Sequence, residues 1–97
     1  MSDLTLRQVA ELTKQYLIKH GWTNDYDNDK VSGKVCVMVA AERALAEEGY
    51  DHLHATSIDF HRAVFDKLGV KGSFEVFNWN DSRTSVQPIF DLLDSIG

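Results

Sequence analysis

The chain has 97 residues, 43% of them hydrophobic and 26% charged, which is the balance of an ordinary globular protein with length for one modest core and no second domain. Its formal net charge is −5 and its ten Lys and Arg are scattered singly, so the basic footprint of a nucleic-acid binder is missing. The longest apolar run, VCVMVAA at 35–41, is far short of the roughly 20 residues that cross a bilayer, the first residues lack the basic start and apolar stretch of a secretory signal, and the single cysteine, Cys36, leaves no internal disulfide. These features predict a cytoplasmic protein with no membrane contact.

The first element opens at Thr5. Thr5 followed by Gln8 is a capping box, with Leu4 placed to staple onto Val9, so a helix is expected over 6–20. Val9, Leu12, Tyr16 and Leu17 form its inward stripe, and Arg7, Glu11, Lys14 and Lys19 face water. The acidic stretch NDYDNDK at 24–30 alternates carboxylates as calcium loops do. A twelve-residue loop begun at Asp25, however, puts Lys30 at the turn glycine and Cys36 at the bidentate glutamate, so the stretch reads as a solvated connector.

The second helix is expected from Ser32 or Gly33 to Glu48. Val35–Ala41 is apolar all round, which places this half at the centre of the fold, while Glu47 and Glu48 sit unfavourably at the negative end of the dipole. A third helix opens at Thr56 or Ser57, with Phe60, Val64 and Leu68 on one face and Ile58 and Phe65 widening it. Gly21, Gly49 and Gly69 each follow a helical pattern and precede a hydrophobic residue, predicting left-handed caps with contacts Leu17–Trp22, Leu45–Tyr50 and Phe65–Val70.

SFEVFNW at 73–79 is rich in strand formers, so 74–79 is expected to be extended, lying across the core or pairing with Tyr26 to Val31 or with another chain. The last helix runs from about 85 to 96, with Pro88 in its first turn, Val86, Ile89, Phe90, Leu93 and Ile96 inward, and Thr84 with Gln87 as a second capping box whose loss costs about 1 kcal/mol. The fold class is therefore mainly α: one compact domain over 1–97, of about four helices with at most one short extended segment at 74–79.

Candidate chemistry is sparse. His52 and His54 share a direction on an extended segment and His61 or Asp59 is near enough in sequence to join them, but no cysteine pair or His-Glu-x-x-His helix supports a zinc site. Cys36 stands near a helix start beside Lys34, yet inside the most apolar run, where cysteine behaves as a small core hydrophobe. No glycine-rich phosphate loop or nucleophile elbow is present. No catalytic residue, metal or cofactor is assigned.

The densest stretch is FNWNDSRTS at 77–85. It reads first as architecture: Trp79 anchoring the connector, with Trp79→Ala costing about 3–5 kcal/mol if the ring is buried, Asn80 and Asp81 making the turn, and Arg83 pairing with Asp81 or covering a ring. The chain also resembles a family of small uncharacterised proteins of actinobacteria and their bacteriophages. Trp79, Asn80, Asp81, Arg83 and Thr84 carry the likeness, with Trp22 after the first helix, a variable acidic loop, and Cys36 opening the central helix. Val39 stands where that family usually has glycine, and Gln87 where it often has glutamate. The resemblance implies no activity but points to a phage or actinobacterial source.

The function expected from all this is a non-enzymatic module that binds another protein, as a phage factor acting on a host protein in the host cytoplasm. Its surface is expected at 74–83 and 24–29, with Phe77, Trp79, Asn80, Asp81 and Arg83 as the binding residues. The alternatives are a small metal- or cysteine-dependent enzyme using Cys36, His52, His54 or His61, and an acidic mimic of nucleic acid. A protein partner is expected, nucleic acid and membrane are not, and a homodimer is a further arrangement.

Overall fold

Helix α1 (Leu6–His20) begins where the capping box puts it: Gln8 N–H donates to Thr5 Oγ1 at 3.1 Å and Thr5 N–H to Gln8 Oε1 at 2.8 Å. This is a computed structural model, and it describes residues 4–25 and 32–96. Val9, Ala10, Thr13 and Leu17 are the buried side of α1, and the Thr13 hydroxyl is satisfied by the Val9 carbonyl at 2.8 Å. On the wet side Arg7 pairs with Glu11 at 2.8 Å and Lys14 reaches Asp94 at 3.0 Å. Exposed pairs of this kind are worth at most about 1 kcal/mol, so the burial decides where α1 sits.

The chain leaves α1 extended. Gly21 has φ 93° and ψ 149°, a backbone that L side chains rarely adopt, and a Cβ there would lie 3.1 Å from Lys34 Cγ. That turn sends Trp22 alongside Val35 in a short parallel bridge, with Thr23 N–H donating to Val35 O and Val35 N–H to Gly21 O, both at 3.0 Å. Val35 is therefore committed to the bridge, and helix α2 (Val37–Glu47) starts later than its apolar run suggests, with Cys36 at its N-cap. Val35 to Met38, Ala40, Ala41, Ala44 and Leu45 are buried, so the expectation of a helix enclosed at the centre holds, with only Val39 half-buried in its first half.

Helix α3 (Ala55–Leu68) starts one or two residues early because His54, not Thr56 or Ser57, caps it: Thr56 N–H donates to His54 Nδ1 at 3.1 Å. Two of the three glycine endings fold back as expected, Tyr50 N–H bonding Leu45 O at 2.9 Å and Val70 N–H bonding Phe65 O at 3.0 Å. The third, at Gly21, becomes the exit into the bridge.

Residues 74–79 are not extended. They lie within a fifth helix, α4 (Ser73–Asp81), whose inward side is Val76 and the amide Asn80, four residues apart, with Trp79 half-buried beside them. Glu75 in its first turn suits the positive end of the dipole. Helix α5 (Gln87–Asp94) begins after Thr84 and ends before Ile96, with Val86 as N-cap, Pro88 in the first turn and no side-chain cap. The Thr84–Gln87 box is absent: Gln87 instead donates to Asp91 at 2.9 Å, so Thr84→Ala has no cap to lose.

The described residues thus form five helices. α1 packs against α2, α3 and α5, and α4 packs against α2 and α3. Phe60, Met38, Leu45, Ile89, Leu93 and Ile96 are completely buried at the centre, and the radius of gyration is 12.4 Å. No described helix is long and apolar enough to cross a membrane.

Candidate functional site

The amide of Asn80 is where the pieces meet. It is wholly buried, and its Oδ1 accepts Trp22 Nε1–H at 2.8 Å and Val37 N–H at 3.2 Å. Its Nδ2 donates to the Thr23 carbonyl at 3.1 Å and to Asp81 Oδ1 at 3.2 Å. Val37 opens α2, where backbone N–H groups lack intrahelical partners, so α4 supplies the cap that Cys36 does not. Asn24 Nδ2 adds a bond to Arg83 O at 2.7 Å, tying the end of α4 to the segment after α1.

This divides the expected binding residues. Asn80 is structural and inaccessible. Trp79 is half-buried against the core, short of the full burial on which the larger truncation cost rested, and the Arg83 guanidinium lies over its ring at 5.4 Å. Arg83 also donates to Ser82 Oγ at 3.0 Å, so it covers a ring as expected and forms no ion pair with Asp81. Phe77 and Asp81 point elsewhere, toward a cavity of about 330 Å³.

That cavity lies between α4 and the start of α2. Phe74, Phe77, Asn78 and Asp81 form the α4 side, Cys36 and Val39 the α2 side, and Asp25 comes from the acidic segment. Phe74 is 75% exposed and Phe77 37% exposed, one turn apart on the same helix. Of the two surfaces expected from the sequence, 74–83 and 24–29, the second touches the cavity through Asp25, and its residues 26–29 lie outside the described residues, as do Tyr26 to Val31 and most of the calcium-like loop.

Cys36 lines this cavity with a nearly buried side chain. Burial pushes its thiol up; the N–H groups of Val39 and Met38 at the helix start pull the other way without overcoming it, and the Asp81 carboxylate adds to the rise. The thiol is held protonated near neutral pH, the reverse of what an activated nucleophile needs.

The histidines have separate surroundings. His54 caps α3 and meets the Tyr50 ring edge-on at 4.7 Å, His52 is exposed beside a wider depression of about 520 Å³, and His61 sits half-buried on α3 with Nε2 enclosed and unbonded. The depression is walled by Glu42, Asp51 and Arg43, charges of both signs. No group of three metal-ligating side chains occurs among the described residues.

Burial lowers the His61 pKa; Glu42 opposes this and His52 reinforces it. The unfolded chain, titrating near ~6.5, therefore binds the proton more readily than the fold. The His61 contribution is complete above that value and is lost as pH falls through it toward the lowered folded pKa. Melting temperature measured from pH 7.5 down to 5 should fall, and His61→Gln should flatten part of that fall; an unchanged profile in the variant would assign the loss to other groups.

Sequence reasoning named Phe77 and Asp81 singly, covered Phe74 and Asn78 only within the expected surface at 74–83, and did not place Val39 there. The signal was present: Phe74, Phe77 and Asp81 recur at three and four residues, one helical face, once 74–79 is read as helix. A family model described as a family of unknown function, DUF6197, matches residues 1–96. No curated protein and no solved structure matches the chain.

Proposed function

The chain belongs to that family of unknown function, and from this premise we propose that it is a non-enzymatic protein-binding module whose partner docks on the outer face of α4. The observation that carries this reading is the pair of exposed rings, Phe74 and Phe77, standing one turn apart at the mouth of a cavity. The other exposed large apolar residues among those described, Ile18, Leu53 and Ile58, are dispersed over α1, the segment before α3, and α3 itself. Scattered apolar residues are ordinary on a protein surface, whereas a pair rimming a hollow is the usual form of an anchor site. Burial of the Cys36 thiol, which raises its pKa, gives a cysteine-dependent enzyme no comparable support. The resemblance to actinobacterial and bacteriophage proteins supports a host protein as the partner and the host cytoplasm as the place of contact.

The test is selection of displayed random peptides on the full chain. Phe74→Ser removes an exposed ring without adding charge, so stability should move by no more than about 0.5 kcal/mol, while binding of the selected peptides should be lost. Selected peptides that bind Phe74→Ser and the unmodified chain equally well would place recognition elsewhere.

A further inference from the structure

Resting on that docking reading, we propose that the partner presents a lysine or arginine side chain, which enters the cavity beside Phe74 and Phe77 and brings its charge to Asp81. Three features of the cavity select this occupant. Among the described residues its charged lining groups, Asp25 and Asp81, are both acids, and no Lys, Arg or His lines it. Its apolar walls, Val39, Phe74 and Phe77, suit an aliphatic stem, since long cationic side chains lay their methylenes on apolar surface and keep the charged end at the polar rim. The two phenyl faces add the attraction of aromatic rings for a cation.

Asp81 is built to receive that charge. Its Oδ1 accepts Asn80 Nδ2 at 3.2 Å, and Asn80 is immobilised by its bonds to Trp22, Val37 and Thr23, so the carboxylate is held at the end of a rigid helix. Its field reaches the cavity interior, where it adds to the rise of the Cys36 thiol. Arg83, the nearest cation along the chain, lies on the Trp79 ring and not in the cavity. An anionic partner group would meet the Asp81 carboxylate, which sets the sign of the recognition.

The experiment uses two displayed random peptide libraries selected on the full chain at low salt, one containing Lys and Arg and one lacking both. Binders from the cationic library should require Phe74, bind Asp81→Asn about tenfold more weakly, as expected for loss of one partly desolvated charge pair, and weaken as salt rises. Asp81 is exposed and an asparagine oxygen can keep the contact with Asn80, so the variant should melt with the unmodified chain; if it does not, the salt response and the library comparison still decide. Equally tight, Phe74-dependent binders from the cation-free library would overturn the charge assignment and leave the docking face standing. No Phe74-dependent binder from either library, or binding by self-association of the chain alone, would overturn both.

Discussion

Asn80→Ala is expected to destabilise the fold by about 3–5 kcal/mol, out of the roughly 5–15 kcal/mol available to a domain of this size. The alanine methyl leaves Trp22 Nε1–H, Val37 N–H and the Thr23 carbonyl without their partner. Each buried polar group so stranded costs about 1–3 kcal/mol, less where water enters the vacated space, which is why the sum is set below the full total. Asn80→Asp is not a conservative rescue at neutral pH: it keeps the acceptor for Trp22 and Val37 but turns a second oxygen toward Thr23 O and places a charge beside Asp81. Urea unfolding followed by tryptophan fluorescence measures both variants, and a midpoint within error of the unmodified chain would show that the amide holds nothing together.

Phe60→Ala should cost a comparable amount, about 3–5 kcal/mol, for a different reason. Phe60 is the largest wholly buried side chain among the described residues, on the face of α3 that also buries Val64. Its truncation removes apolar contact and leaves a cavity that rigid helices cannot close. At about 4–8 °C per kcal/mol, the melting temperature should drop by well over 10 °C in calorimetry. A drop of a few degrees would mean that the core collapses around the gap more easily than close packing allows.

Much of the architecture was legible because it is written locally. Thr5 with Gln8, the all-round apolar run from Val35, and Gly69 followed by Val70 each specify structure within a few residues, and each appears as expected apart from the start of α2. What failed depends on partners distant in sequence. Helix α4 was hidden because Phe74, Val76, Phe77 and Trp79 favour strands, and because its inward side includes a polar residue, so no apolar stripe marks the helical period. The reason for burying Asn80 is a set of groups 43 to 58 residues away, which no local pattern encodes. The start of α2 moved for a similar reason, since Val35 belongs to a bridge made by Trp22.

The candidate site was half visible on the same account. Phe77 and Asp81 reach the cavity, Asn80 secures the helix that carries them, and Trp79 with Arg83 forms a stacked brace behind. Phe74 lay within the expected surface at 74–83 without being singled out: in a strand it would alternate with Phe77 across opposite faces, whereas in a helix the two stand together.

The bridge between Trp22 and Val35, together with the Asn80 amide, also staples both ends of the intervening stretch. Whatever chain joins Asn24 to Lys34 starts and finishes at points fixed by the rest of the fold. Lengthening such a clamped span costs only closure entropy, about 0.6 kcal/mol per doubling. Evolution can therefore rewrite that span in size and charge without disturbing the helices on either side of it.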